Sequence, residues 1–119
     1  MPSEMKRGGA YSILVKIRDS AYENAHHMPA KMSSPLPKQD GPAIIMRIED
    51  HRETGSFDNR KGAKGYRLKQ RELIQSGKFF EAFMMDVEVI RSRCGSRYDS
   101  EIQAAEEYLR ELIERGEIR

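Results

Sequence analysis

Several residue types that mark common protein classes are rare or missing in this chain of 119 residues. There is no tryptophan, and the single cysteine, Cys94, excludes an internal disulfide and a cysteine-based zinc knuckle. The longest apolar runs are far too short to span a membrane, and the charged N-terminus has no apolar segment of the kind a Sec signal needs. We therefore expect no membrane partner. The length allows one domain with a modest core, assigned to residues 10–119 after a flexible lead-in over residues 1–9.

Charge is unevenly distributed along the chain, although its formal net value is only +2. Residues 99–119 contain seven acidic and three basic residues, and the residues before them contain 18 basic and 12 acidic ones. A basic stripe without any acidic residue runs from Arg60 to Arg71. Such a stripe fits phosphate binding, because each cation near a phosphate releases counterions, but it also fits a solvated helix face. The candidate nucleic-acid-binding residues in it are Lys61, Lys64, Arg67 and Lys69.

The first half of the chain has the patterns of two short strands. Apolar residues alternate from Tyr11 to Ile17, which predicts a half-buried strand. A second strand is predicted from Ala43 to Ile48. The segment from Met28 to Pro42 contains four prolines, Pro42 included. They predict an irregular connection between the two strands, because proline lacks the N–H that a sheet ladder needs.

The second half has helical spacing and predicts three helices. The first covers about residues 63–76 and ends at Gly77, and the second covers about residues 78–93 and ends at Gly95. Ser100 and Gln103 fit a capping box, which predicts that the third helix begins there. The expected fold class is therefore α+β, with helices dominant.

The three histidines are the only cluster of neutral nitrogen ligands in the sequence. His26 and His27 are adjacent on a segment expected to be extended, where consecutive side chains point to opposite sides. One can therefore bind a metal while the other faces a substrate. His51 follows the second strand, and Asp50 beside it is a candidate oxygen ligand. A chance placement of three surface histidines is the alternative, as is a structural zinc site, for which no fourth closing ligand is evident.

Several separate blocks of the sequence form one pattern, and they include Ala25–Ala30, Ser34–Leu36, Gly41–Ile44, Asp50–Ser56, Tyr66–Arg67, Gly77–Phe79, Met85–Val87 and Tyr98–Asp99. Together they resemble the His-His branch of the HNH/endonuclease VII superfamily, as found in nuclease domains at the C-termini of bacterial polymorphic toxins, including Rhs-type and type VI effectors. The resemblance covers roughly residues 8–110. It implies a ββα-metal core, in which a hairpin presents the histidine pair and a following segment carries another ligand, and C-terminal helices follow the core.

The resemblance also implies roles for the histidines. His26 takes the position of a metal ligand, and His27 takes that of the general base that activates the attacking water. His51 takes the position of the downstream ligand or metal-orienting histidine. All three, together with Arg52, are therefore expected to be catalytic.

The rest of the ligand shell is open. Many members of the superfamily have an asparagine and a further histidine on the helix after the hairpin, and this chain has Asn59 but no fourth histidine. Asp50, Thr54 and Asn59 are candidates for the missing ligands, and Arg52 is a candidate phosphate clamp or surface ion pair. The expected cofactor is one divalent ion, Mg²⁺, Mn²⁺, Zn²⁺ or Ni²⁺.

The expected function is metal-dependent hydrolysis of phosphodiester bonds, most readily as a non-specific DNase. An RNase on the same scaffold and a non-catalytic nucleic-acid-binding domain are the alternatives. The resemblance further implies that the domain belongs to a larger secreted effector, delivered by a bacterial secretion system into the cytoplasm of a target cell. A cognate immunity protein is then the expected partner besides DNA or RNA.

Overall fold

The computed structural model describes residues 6–29, 40–54 and 63–118, and these form one three-stranded antiparallel sheet and five helices. The sheet order is β1, β3, β2, so β3 is central. In the described part of the chain, no helix combines the length and the apolar character that a membrane crossing needs. In chain order the elements are β1 (Gly8–Ala10), α1 (Tyr11–Ile17), β2 (Glu23–His27), β3 (Pro42–Arg47), α2 (Ile48–Thr54), α3 (Ala63–Gln75), α4 (Phe79–Cys94) and α5 (Asp99–Glu114).

The predicted α+β class is confirmed, and β3 is the strand that divides the core. Ile44 and Met46 lie on one face, in the main cluster formed with α4 and α5. Ala43 and Ile45 lie on the other face, in a smaller cluster with Leu14 of α1. Both faces of β3 are therefore buried, which explains why its sequence is a continuous apolar run rather than an alternation.

The predicted strand from Tyr11 to Ile17 is wrong, because these residues form helix α1. Leu14 is buried, and Tyr11 and Ile17 pack beside it, so residues three apart share one face. Ile13 is 59% exposed, although it belongs to the apolar set that suggested a strand. The alternation misled because a seven-residue segment is too short to separate a period of 2 from one of 3.6.

The hairpin region differs from the prediction at its far end. The strand predicted from Ala43 is confirmed, but it ends at Arg47, and Ile48 begins α2, which the sequence analysis did not predict. Within the irregular segment predicted from Met28 to Pro42, the described part includes a cis peptide bond between Met28 and Pro29, and residues 30–39 lie outside it.

The three C-terminal helices are confirmed within one or two residues. Gly77 and Gly95, with φ of 78° and 63°, follow α3 and α4 as their predicted stops. The capping box is wrong: α5 begins at Asp99 after Tyr98, and no side chain caps its first turn. Ser100 instead lies inside the helix, where its hydroxyl donates to Glu101.

Gly8 and Gly9, assigned above to a flexible lead-in, belong to β1 and pair with Ile44 and Ala43 of β3. Gly8 is packed so closely against α5 that a Cβ atom there would lie 2.0 Å from the carbonyl oxygen of Glu101. Only glycine permits this approach, which holds α5 against the edge of the sheet.

Candidate functional site

Strand β2 carries the histidine pair along one edge of the sheet. Its register with β3 places His26 opposite Ile44 and His27 opposite Ala43. Because side chains alternate along a strand, His26 shares the face of the main core with Asn24, and His27 lies on the face covered by α1. The predicted divergence of the two neighbouring histidines is therefore present.

His51 approaches His26 because α2 begins where β3 ends. The N–H of Ile48 donates to the carbonyl of Tyr22 at 2.9 Å, which fixes the start of α2 beside the start of β2. One turn later, the rings of His26 and His51 meet edge to face, with their centroids 4.8 Å apart. The chain thus brings together two histidines that are far apart in sequence.

The environment of His26 favours its neutral form. Its side chain is buried, with 5% of its surface exposed. Burial, together with the nearby positive charge that His51 and His27 can carry, lowers the pKa of His26 to about 3. His26 therefore has a free lone pair at every pH near neutrality, as a metal ligand requires.

Asn24 and Arg18 extend this pair into a row of four side chains. Arg18 Nη1 donates to Asn24 Oδ1 at 3.5 Å, and Asn24 Nδ2 lies 3.2 Å from His51 Nδ1. A guanidinium can only donate, so the amide oxygen of Asn24 faces Arg18 and its NH₂ group faces His51. His51 Nδ1 is then the acceptor, and the neutral ring has its proton on Nε2.

The His26–His51 pair fits a divalent transition-metal ion in two respects. Its ring separation of 4.8 Å matches two imidazoles on one ion, whose ring centres lie roughly 5 Å apart when each nitrogen is about 2.1 Å from the metal. His26 is also held neutral. Metal binding through Nε2 of His51 would require the ring proton to move to Nδ1. Asn24, which lies next to Nδ1, therefore influences which tautomer His51 adopts. In the described part of the chain, no third histidine, cysteine or carboxylate joins the pair.

His27 occupies a different environment from its neighbour. Its ring stacks on Tyr11 of α1, with centroids 4.2 Å apart and planes inclined by 15°. This stacking holds the orientation of a half-buried imidazole on the second face of the edge strand. The histidine proposed as a base is therefore separated from the two proposed as ligands by the plane of the sheet.

Asp50, a candidate metal ligand, is bound elsewhere. Its carboxylate accepts a hydrogen bond from the hydroxyl of Tyr98 and pairs with Arg97 at 2.8 Å. Burial raises the pKa of Asp50, but the bonds from Tyr98 and Arg97 outweigh it, so the pKa lies below its ordinary value. Since Tyr98 also accepts from the N–H of Arg47 at 3.1 Å, this contact ties the start of α2 to the turn before α5.

Most of the other candidate residues lie outside the described part of the structure. Asn59 and Lys61 lie outside the described residues, and so do the side chains of Arg52, Thr54 and Lys64. Arg67 is half-buried and Lys69 is exposed, both on α3. The described part of the basic stripe therefore lies on helix α3.

Sequence reasoning did not identify Asn24 or Arg18. Asn24 lies two residues before His26, the spacing that puts two side chains on one face of a strand, and this spacing was the available signal. Arg18 had no comparable signal, because the segment before it was interpreted as a strand rather than a helix.

Comparisons with protein families, with curated proteins and with solved structures found no match to this chain. The geometry of the site and the sequence blocks described above are therefore the grounds on which a function can be proposed.

Proposed function

We propose that this chain is a metal-dependent endonuclease domain that hydrolyses phosphodiester bonds, with DNA as its main substrate. The observation that carries the proposal is the contact between His26 and His51. His26 is a buried neutral imidazole on β2, and His51 is a second imidazole on α2. Two unrelated surface histidines would not be expected to meet in this way. The order β2, β3, α2, with one histidine on β2 and another on α2, supports a ββα-metal core.

In this proposal His26 and His51 hold the ion, and Asn24 orients His51 through its Nδ1 atom. When bound, a divalent ion supplies Lewis-acid stabilisation of the charge that develops on the phosphate and the departing oxygen. The amide oxygen of Asn24 would then have to turn towards His51 and accept a hydrogen bond from its Nδ1–H, since a metal-bound histidine donates its second ring N–H to an acceptor.

His27 is the proposed general base. Imidazole is suited to this role, because the ring nitrogen without a proton can take one from water. Tyr11 limits rotation of the ring by stacking on it. In the described part of the sheet β2 pairs only with β3, so β2 is an edge strand and both histidines lie at the same edge of the sheet. Positive charge on His27 contributes to the lowered pKa of His26 across the strand.

The biological setting follows from the resemblance of the sequence blocks. We propose a toxin domain of a larger secreted effector, delivered by a bacterial secretion system into the cytoplasm of a target cell and opposed by an immunity protein. An acidic inhibitor surface would complement the exposed cations of α3, Lys69 and Arg71.

The test is cleavage of supercoiled plasmid DNA and of total RNA with each of Mg²⁺, Mn²⁺, Zn²⁺ and Ni²⁺, and with EDTA. We expect nicked and linear plasmid with at least one metal, no cleavage in EDTA, and slower loss of RNA. Faster degradation of RNA would make the domain an RNase. Binding of DNA without cleavage of either substrate at any metal would contradict the enzymatic proposal and favour a non-catalytic binding domain.

A further inference from the structure

The guanidinium of Arg18 is poorly satisfied by hydrogen bonds within the described structure. Arg18 follows α1, and its Nη1 atom makes a long contact of 3.5 Å with Asn24. Its Nε atom is buried without a hydrogen-bond partner, and no other buried side-chain nitrogen or oxygen in the described residues lacks one. A buried donor without a partner costs free energy, so this arrangement needs a reason.

Nearby carboxylates in the described part of the chain are already used by other groups. Asp19 accepts from the N–H of Ala21 at 3.1 Å, and Glu23 accepts from the N–H of Asp19 at 2.8 Å and from the guanidinium of Arg7. No described carboxylate forms an ion pair with Arg18. The guanidinium thus has donors available for an outside acceptor.

A guanidinium with available donors is suited to one class of ligand. Its planar fork binds two oxygens of a phosphate or a carboxylate through parallel, charge-assisted hydrogen bonds. The side chain of Arg18 is only half-buried, so part of it is open to an oxygen that approaches from solvent. Asn24 and His51 link Arg18 to His26, so the bound group would lie beside the histidine pair.

We infer that Arg18 binds a backbone phosphate of the nucleic-acid strand next to the His26–His51 pair. The inference rests on the proposed function and adds a substrate contact to it, because it assigns the phosphate clamp to Arg18.

The direct test is nuclear magnetic resonance of the Arg18 Nε–H group in EDTA, with the signal assigned by its loss in Arg18→Lys. The probes are a single-stranded thymidine oligomer of about eight nucleotides and inorganic phosphate, each at constant ionic strength set with chloride. We expect the oligomer to shift the Arg18 signal saturably. No shift at saturating oligomer, or a shift with inorganic phosphate alone, would overturn the assignment to a strand phosphate.

Variants give an independent measurement of the same contact. Charge-assisted hydrogen bonds of this kind predict that Arg18→Gln weakens oligomer binding in EDTA about tenfold or more. Arg18→Lys should lose less, because it keeps the charge without the fork. The matched control is Arg115→Gln, an exposed arginine paired only with Glu111 and Glu117, which should change affinity less than about twofold. Equal affinities for Arg18→Gln and the wild type would refute the inference.

The binding assay separates this inference from the nuclease proposal, because it contains no metal and measures no cleavage. A protein that cleaves DNA, but binds the oligomer equally well after Arg18→Gln, would refute only the Arg18 site. A protein that cleaves nothing, but loses binding in Arg18→Gln, would refute only the nuclease. Thermal unfolding of each variant confirms that it is folded before affinities are compared.

Discussion

At the scale of residues, His26 and His27 are chain neighbours in opposite environments. His26 is buried beside His51 on the face of the main core, whereas His27 stacks on Tyr11 on the face of α1. The alternation of a strand produces this difference without any special backbone geometry. It allows two identical side chains to have separate chemical roles.

Substitution should separate these roles. His27→Ala should lower the cleavage rate about a hundredfold or more, since a general base contributes that much, while metal affinity changes little. His26→Ala and His51→Ala should lower both, because each removes a proposed ligand. Plasmid cleavage and calorimetric titration with Mn²⁺ or Ni²⁺ measure the two properties.

Gln75→Ala is the control for this series, because Gln75 is exposed at the end of α3, away from β2 and α2. Equal loss of metal affinity in all three histidine variants would show that His27 is a ligand and that the base lies elsewhere.

At the scale of elements, α2 is the part of the fold on which the site depends most. It is only seven residues long, too short to be stable by itself, so tertiary contacts must hold it in place. The hydroxyl of Tyr98 provides one of them by bridging the N–H of Arg47 and the carboxylate of Asp50. Desolvation and this bond to Asp50 raise the pKa of Tyr98 to about 12, so the hydroxyl keeps its proton throughout the neutral range.

Tyr98→Phe should therefore loosen α2. Loss of the hydroxyl removes two part-buried hydrogen bonds, which should lower the free energy of unfolding by about 1–3 kcal/mol. His51 should lose its fixed position next to His26, so metal affinity should fall although no ligand is changed. Urea unfolding and calorimetric titration measure the two effects.

Tyr22→Phe is the matched control, because the Tyr22 side chain is 68% exposed, and it should change stability by less than about 0.5 kcal/mol. If Tyr98→Phe unfolds like the wild type and binds metal equally well, α2 is held by other contacts.

At the scale of the whole molecule, two buried groups have opposite effects on acid stability. Burial raises the pKa of Asp86, on α4, to about 6, although hydrogen bonds from Tyr66 and Gln70 of α3 lower it in part. The folded state therefore takes up a proton at Asp86 that the unfolded state does not, and stability falls as pH rises from about 4 to 6. His26, with its pKa near 3, has the opposite effect. Between about pH 3 and 6.5 only the unfolded state is protonated at His26, so stability rises with pH.

These opposing effects predict a plateau in stability between about pH 4 and pH 6 in metal-free protein. Asp86→Asn should remove one effect, so stability should then rise by about 1.4 kcal/mol per pH unit across this interval. Urea unfolding at pH 4, 5 and 6 in EDTA measures the slope. The control is Glu81→Gln, an exposed carboxylate on the same helix, which should keep the plateau. A flat profile in Asp86→Asn would mean that the pKa of His26 is not lowered by folding.

Much of the fold could be predicted from local sequence patterns. The helices α3, α4 and α5 are long enough for their 3.6-residue period to be recognised, and Gly77 and Gly95 mark two of their ends. The prediction failed where segments are short. Seven residues from Tyr11 fit a strand as well as a helix, and the seven residues from Ile48 had no recognisable pattern at all.

The candidate site shows the same division between local and distant information. The histidines themselves, and the opposite directions of His26 and His27, are local properties of an extended segment and could be deduced from it. The contact of His26 with His51, the use of Asp50 by Tyr98 and the position of Arg18 beside Asn24 involve residues from different elements. Such contacts depend on how helices pack on the sheet, because packing balances buried area and hydrogen bonds across the entire chain, and no local pattern encodes that balance.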